Sequence, residues 1–135
     1  MTPQALAQLH AAAFTSGRPW SADEFASLCA EAHTCLTTAE HGFALWRAVA
    51  GEAELLTIAV APDRQGRGIG TALMRDWMAE AAQQADTAFL EVAADNAPAC
   101  ALYGKCGFAK VAERPAYYSR ETGKVDAWVM RAPLR

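Results

Sequence analysis

Residues 58–71 read IAVAPDRQGRGIGT, and this segment indicates the type of fold. The apolar run before Pro62 is typical of a strand, and apolar side chains recur at helical spacing from Ile69 to about Gln84. A glycine-rich segment lies between them. At such a junction the free N–H groups and the dipole of the helix favour a phosphate group, and glycine lets that group approach the main chain closely. The stretch therefore predicts a strand, a phosphate-binding loop and a long helix.

Several kinds of loop have this general composition. A Walker loop requires Gly-Lys-Ser or Gly-Lys-Thr, whereas Gly70 is followed by Thr71-Ala72. A dinucleotide fingerprint counted from Gly66 would need its third glycine at Thr71. A simple tight turn remains a structural alternative. The pattern that fits is Q-x-x-G-x-G, which resembles the coenzyme A pyrophosphate loop of the GNAT superfamily of N-acetyltransferases.

Two short helices are predicted before the first strand. Residues 3–14 carry apolar side chains at helical spacing, and Ser16-Gly17 is expected to end this helix. Ser21 and Glu24 have the spacing of a capping box, which predicts a second helix at 22–30.

Strands are predicted where short apolar or β-branched runs are separated by turn residues. Three antiparallel strands joined by tight turns are expected at 34–38, 43–50 and 54–61. After the long helix we expect a strand at 87–93 and then a helix that is capped by Asp95-Asn96 and ended by Gly107. Two last strands are expected at 108–113 and 126–131, joined by a polar loop that contains Tyr117 and Tyr118. This order predicts one domain over residues 1–135, with an α+β fold in which helices flank a mixed, largely antiparallel sheet.

Composition excludes several classes of partner. The chain has 135 residues, of which 53% are hydrophobic, and a net charge of -3, so it lacks the basic field that attracts nucleic acid or an anionic membrane. No apolar run reaches the roughly 20 residues needed to span a bilayer, and the first residues do not resemble a signal peptide, so we expect a cytoplasmic protein. The four cysteines and three histidines lack metal-ligand spacing, so no metal site is expected.

A second motif narrows the resemblance. Residues 90–96 read LEVAADN, and Ala101-Leu102-Tyr103 and Gly107-Phe108 follow. This pattern closely resembles the L-E-V-x-x-x-N…A-L-Y…G-F signature of the RimI-type ribosomal-protein-alanine N-acetyltransferases, a bacterial branch of the GNAT superfamily. The likeness extends from Phe14 to the last strand and includes Pro19-Trp20-Ser21. It implies the GNAT fold and acetyl transfer from acetyl-CoA to a primary amine.

The resemblance also implies a catalytic pair. An amine attacks a thioester only in its neutral form, and the departing thiolate needs a proton, so a base and an acid are required. Glu91 matches the general base of the family and Tyr103 its general acid. Taken without the family, Glu91 could lie on a solvated strand face, and Tyr103 could be an ordinary core tyrosine. Direct transfer needs no cysteine nucleophile.

Binding residues follow from the same resemblance. The main-chain groups of Ile58, Ala59 and Val60 are expected to pair with the pantetheine arm as if it were an added strand. One of their N–H groups is expected to polarise the thioester carbonyl. The pyrophosphate loop consists of Gln65, Gly66, Arg67, Gly68, Ile69, Gly70 and Thr71, and Asn96 matches a coenzyme-contacting asparagine. Acceptor contacts are expected at Trp20, Tyr117 and Tyr118.

Two departures from the family concern the acceptor. The family often has arginine where this chain has Ala93, and serine where it has Asp95. Three functions therefore stay open. The acceptor can be a protein N-terminus, with the alanine of ribosomal protein S18 expected by resemblance, or a small-molecule amine or a lysine. A non-catalytic module that binds acetyl-CoA is the third, and the presence of Glu91 and Tyr103 argues against it.

Overall fold

The computed structural model describes residues 1–14 and 18–135. Its helices are α1 (Pro3–Ala13), α2 (Ala22–Ala30), α3 (Ile69–Ala81) and α4 (Ala97–Lys105), with a 3-10 turn at Pro62–Arg64. Its strands are β1 (Thr34–Ala39), β2 (Gly42–Val49), β3 (Glu52–Val60), β4 (Thr87–Ala93), β5 (Ala109–Arg120) and β6 (Gly123–Pro133). The predicted stop of α1 at Ser16-Gly17 lies outside the described residues. Within them, no helix is both long and apolar enough to cross a membrane.

The strands form one six-stranded sheet in the order β1-β2-β3-β4-β6-β5. The pair β3 and β4 is parallel, and every other neighbouring pair in this order is antiparallel. The predicted α+β class, with a mixed and largely antiparallel sheet, is confirmed. The three antiparallel strands predicted before the glycine-rich loop are confirmed as well.

The sheet opens between its two parallel strands. Strand β3 pairs with β4 only from Glu52, opposite Thr87, to Glu54, opposite Phe89. Beyond that point β3 continues along β2 to Val60, while β4 continues along β6. A gap therefore separates the carboxyl ends of the two parallel strands, which is where α/β sheets commonly bind ligands.

Helices cover the two faces of the sheet differently. Helices α3 and α4 pack on one face, in a buried core that includes Trp46, Met74, Trp77, Leu90, Tyr103 and Phe108. Helices α1 and α2 pack on the opposite face over β2 and β3, with a smaller core of Leu6, Phe25, Phe43, Leu45 and Ala59. The gap between β3 and β4 thus has α3 and α4 on one side and α1 on the other.

Local sequence explains where the helices begin. Ser21 and Glu24 form the predicted capping box, in which each side chain accepts a hydrogen bond from the other residue's main-chain N–H. Asn96 caps α4 through its side-chain oxygen, 3.3 Å from the N–H of Ala99. Gly68, in a left-handed conformation, is the N-cap of α3, and the helix ends at Ala81, three residues before the predicted end.

The prediction for the last two strands was wrong in extent. Instead of short strands around a polar loop, β5 and β6 form a long hairpin that turns between Arg120 and Gly123. Tyr117 and Tyr118 consequently lie within β5. Most of β5 is exposed because it is the edge strand, and its register is interrupted twice. An edge strand with both faces largely in solvent has no alternating apolar pattern to mark it in sequence.

Candidate active site

A cleft of ≈ 750 Å³ lies at the carboxyl ends of β3 and β4, where the end of β3 and the residues that follow β4 line it. Nine residues predicted from sequence to act in the site line it: Ile58, Ala59, Val60, Gln65, Gly66, Ile69, Gly70, Asn96 and Tyr103. The cleft is also lined by residues that were not predicted to belong to the site, among them His10, Phe14, Thr57, Arg64, Leu102 and Arg120. Arg67, Gly68, Thr71, Glu91, Trp20, Tyr117 and Tyr118 are not among the lining residues.

The glycine-rich loop presents main-chain N–H groups to one end of the cleft. Gly66 and Gly68 have φ of 77° and 81°, a conformation that side chains oppose, and nothing lies within 4 Å of a Cβ built at either position. The first hydrogen bond of α3 runs from the N–H of Ala72 to Gly68, so the N–H groups just before Ala72 have no partner within the helix. This arrangement can bind an anionic group.

The end of β3 forms a wall of the cleft next to this loop. Thr57 to Val60 line the cleft where β4 has diverged, while their other edge remains paired with β2. The side-chain amide of Gln65 donates a hydrogen bond to the carbonyl of Val60 at 3.1 Å and so ties the loop to the strand. An extended ligand can add to β3 along this edge.

Tyr103 enters the cleft from α4. The residue is only 8% exposed and belongs to the core beneath α3 and α4. Burial, which disfavours the charged phenolate, raises the pKa of Tyr103 to about 12. The hydroxyl therefore keeps its proton through the neutral pH range and is available as a donor.

Glu91 lies on the face of β4 opposite Tyr103. Its neighbours Leu90 and Val92 point into the core beneath α3 and α4, and successive strand residues alternate, so Glu91 points to the face that carries α1. One carboxylate oxygen, Oε1, lies 3.5 Å from Nε of Arg114 on β5. That oxygen is buried and has no hydrogen-bond partner among the described residues. A buried acceptor of this kind can take a hydrogen bond from a ligand or a water.

An ion pair joins β5 to the β4–α4 junction at the edge of the cleft. Arg120 contacts Asp95 through Nε at 3.2 Å and through the terminal nitrogen Nη2 at 3.3 Å. The arginine that the family often has at position 93 is absent, yet β5 brings Arg114 to Glu91 and Arg120 to Asp95. Sequence reasoning missed both arginines because they fall in and around the stretch predicted as a polar loop.

The three predicted acceptor residues lie outside the cleft lining, in two places. Trp20 stacks on His10 beside α1, with ring centroids 5.2 Å apart. Tyr117 is 52% exposed on β5. Tyr118 is half-buried beneath the guanidinium of Arg120, and burial, with a smaller contribution from the Glu91 carboxylate, raises its pKa. Tyr118 is thus near Glu91, and Tyr117 meets the Tyr118 ring edge-on, with centroids 5.1 Å apart.

His10, together with Ala13 and the C-cap residue Phe14, lines the cleft at the end of α1, and sequence reasoning passed over all three. They occur at helical spacing among alanines and leucines, which is the pattern of an ordinary packing face. The available signal was a titratable side chain on that apolar face. In the part of the chain that the structure describes, no cluster of three or more His, Cys, Asp or Glu side chains is arranged to hold a metal ion.

Comparisons with known proteins agree with this geometry. The sequence profile of the acetyltransferase (GNAT) family matches residues 4–108. The [ribosomal protein bS18]-alanine N-acetyltransferase of Escherichia coli K12 is 38% identical over 121 residues, which cover 86% of this chain and 82% of the relative. The N-alpha-acetyltransferase RimI of Mycobacterium tuberculosis is 36% identical over 137 residues, which cover 95% of this chain and 84% of the relative.

Solved structures show the same likeness. The crystal structure of the Escherichia coli ribosomal-protein-S18-alanine N-acetyltransferase superposes with a TM-score of 0.86 at 35% identity, covering 98% of this chain and 86% of the other. The resemblance first seen in the two sequence motifs is thus confirmed at the level of sequence and fold. The chain belongs to the GNAT family of acetyltransferases.

Proposed function

We propose that this enzyme transfers the acetyl group of acetyl-CoA to the N-terminal α-amine of a protein, and that its natural acceptor is the alanine-first end of ribosomal protein S18. The observation that carries this proposal is a cleft that the end of β3, the glycine-rich loop, α1 and α4 line together, with Tyr103 in its lining. Glu91 lies nearby on β4, on the opposite face of the sheet from Tyr103. Relatives that cover most of this chain carry the corresponding activity in their names.

Acetyl-CoA fits the side of the cleft that carries α3 and α4. The pyrophosphate is assigned to the loop from Gln65 to Thr71, where N–H groups converge at the start of α3. The pantetheine arm adds to β3 at Ile58–Val60, and an N–H there polarises the thioester carbonyl. Asn96 uses its side-chain oxygen to cap α4, so its amide nitrogen is the group left for the coenzyme.

The amine approaches from the opposite face, where Glu91 lies. An N-terminal α-amine has a pKa near 7.7–8.0, so losing its proton costs little near neutral pH. Glu91 is not among the residues lining the cleft, so a bridging water is assigned to carry the proton to its unbonded Oε1. The neutral amine then attacks the thioester carbonyl directly.

Tyr103 serves the departing sulfur. When the C–S bond breaks, the thiolate of coenzyme A takes a proton from the Tyr103 hydroxyl, which the burial of this residue keeps protonated. A covalent acetyl-cysteine intermediate is disfavoured, because burial raises the pKa of the nearby Cys100 and Cys106 thiols and lowers their thiolate content.

A small amine or a lysine side chain is the competing acceptor. The observation that favours it is the pair of departures at Ala93 and Asp95, since Arg120 binds Asp95 and changes the charge pattern beside the groove. A non-catalytic acetyl-CoA-binding module would keep the cleft but show no turnover.

The test is acetylation of matched peptides. Purified enzyme and acetyl-CoA are incubated with an alanine-first S18-like peptide, the same peptide already acetylated at its α-amine, and a panel of small amines, while thiol release and product mass are followed. We expect one acetyl group on the free α-amine and none on the blocked peptide. Reaction of the blocked peptide at lysine, or of small amines alone, would overturn the peptide assignment. Coenzyme binding with no turnover would indicate the non-catalytic module.

A further inference from the structure

His10 is buried at the centre of an aromatic cluster beside the cleft. Its side chain stacks between the rings of Phe14 and Trp20, with centroids 5.0 and 5.2 Å away, and meets Phe25 edge-on at 5.5 Å. The residue as a whole is 2% exposed, yet it lines the cleft. We call His10, Phe14, Trp20 and Phe25 the α1 aromatic cluster.

One hydrogen bond fixes the tautomer of His10. Its Nδ1 accepts from the main-chain N–H of Trp20 at 3.1 Å, so Nδ1 is unprotonated and the ring proton lies on Nε2. This bond joins the C-terminal half of α1 to the residues just before α2.

The surroundings keep His10 neutral. Burial lowers its pKa, and the Glu24 carboxylate on α2 opposes this effect only in part. Glu24 is itself paired with Arg18 at 2.6 Å, which offsets its charge. The cleft wall from β3, Thr57 to Val60, carries no ionisable side chain, and α1 has no other titratable one. Protonation of Nδ1 would make it a hydrogen-bond donor that faces the main-chain N–H donor of Trp20, so the hydrogen bond between them would break.

The position of the cluster concerns the acceptor. Helix α1 lies on the face of the sheet to which Glu91 points, opposite the coenzyme loop and α4. His10 and Phe14 thus form the wall of the cleft on the side from which the amine approaches. A change in the bond between His10 and Trp20 would move this wall while leaving the loop at Gly66–Gly70 in place.

We propose that His10 is a positioning residue for the acceptor. His10 holds Phe14 by stacking, and it holds Trp20 both by stacking and by a hydrogen bond to the main chain. These contacts keep the wall of the cleft on the acceptor side in the form that binds the acceptor. The proposal rests on the function proposed above. It requires that acceptor binding weaken in acid, because the neutral form is lost as pH falls below 6.5 through the lowered pKa of His10.

Two substitutions separate the hydrogen bond from the ring. His10→Phe keeps an aromatic ring for stacking but removes the acceptor, whereas His10→Asn places an amide oxygen near the position of Nδ1 and cannot titrate. We expect His10→Phe to raise KM for the alanine-first peptide about tenfold, because the part-buried main-chain N–H of Trp20 loses its hydrogen-bond acceptor. The kcat value and KM for acetyl-CoA should each change less than about twofold. We expect the peptide KM of His10→Asn to stay within about threefold of wild type and to lose the additional rise that wild type shows below pH 6.5 as His10 is protonated.

Controls distinguish this role from a general effect on folding. His33→Phe, at an exposed histidine in the turn before β1, should change neither KM. Equal increases of both KM values in His10→Phe, or an unchanged peptide KM in that variant, would overturn the positioning role.

A readout without substrate separates this proposal from the proposed function. In the enzyme alone, the main-chain amide signal of Trp20 in an NMR titration should shift as His10 gains its proton, and should not titrate in His10→Asn. If wild type acetylates small amines and no peptide, the proposed function fails, and KM for the small amine replaces peptide KM in the same comparison. If the Trp20 signal does not follow His10, the proposal fails whatever the acceptor.

Discussion

At the scale of single residues, the site depends on two ionisable side chains held on opposite faces of one sheet. Glu91 keeps a buried, unbonded carboxylate oxygen, and Tyr103 keeps its proton because it is buried. Sequence motifs identified both residues. The motifs did not predict that the two residues lie on opposite faces of the sheet, because this placement depends on which face of β4 packs under α3 and α4.

Glu91→Gln should lower kcat by about 10² or more, because an amide cannot take the proton of the attacking amine. Affinity for acetyl-CoA should change little, since Glu91 lies outside the cleft lining. Initial rates with the alanine-first peptide and coenzyme titrations measure the two effects. Glu113→Gln is the matched control: this exposed glutamate on β5 pairs with Lys110 at 2.6 Å, so its loss should change the rate less than twofold.

Tyr103→Phe should also reduce kcat by about 10², with the fold and peptide KM retained. A plot of wild-type kcat against pH should show no fall due to ionisation of Tyr103 up to about pH 10. The neutral form of Tyr103 is the active one, and burial raises its pKa to about 12. Rates measured from pH 6 to 10 in both proteins test this. An alkaline limb near pH 8 to 9 that is present in wild type and absent in Tyr103→Phe would contradict it.

At the scale of elements, the loop before α3 combines backbone strain with ligand binding. Gly68→Ala should destabilise the protein by about 1 kcal/mol, because alanine opposes its φ of 81°. It should also weaken acetyl-CoA binding, since the loop presents the N–H groups assigned to the pyrophosphate. Thermal unfolding and coenzyme titration give the two quantities.

Gly51 offers a matched comparison for that element. It has φ of 83°, nothing within 4 Å of a built Cβ, and a place in the turn between β2 and β3, outside the cleft lining. Gly51→Ala should therefore cost a similar stability and leave the affinity for acetyl-CoA unchanged. Equal loss of affinity in both variants would show that Gly68 acts only through folding.

At the scale of the whole molecule, a buried hydroxyl links the sheet to α3. Thr37 on β1 accepts a hydrogen bond from the indole N–H of Trp46 at 2.9 Å and donates one to Glu80 at 3.2 Å. Thr37→Val should lower the free energy of unfolding by about 1–3 kcal/mol, because it leaves the buried indole N–H without a partner. Chemical denaturation measures this loss, and Thr38→Val, at the exposed neighbour, should change stability by less than about 0.5 kcal/mol.

Features that depend on neighbouring residues were predictable from the amino-acid order. The glycine-rich loop, the capping box at Ser21 and the strand at 87–93 were predictable because turn chemistry, helix caps and side-chain periodicity are local properties. The α+β class followed from their order. The family signature supplied the roles proposed for Glu91 and Tyr103.

The assembly of the site depends on contacts between distant parts of the chain. The parting of β3 from β4, the placing of Arg114 and Arg120 beside Glu91 and Asp95, and the entry of His10 into the cleft all join residues far apart in the chain. These contacts depend on strand register and on which faces pack together. The apolar pattern only weakly encodes the register of an exposed edge strand such as β5. The contacts that β5 makes with Glu91 and Asp95 could therefore not be predicted from the sequence.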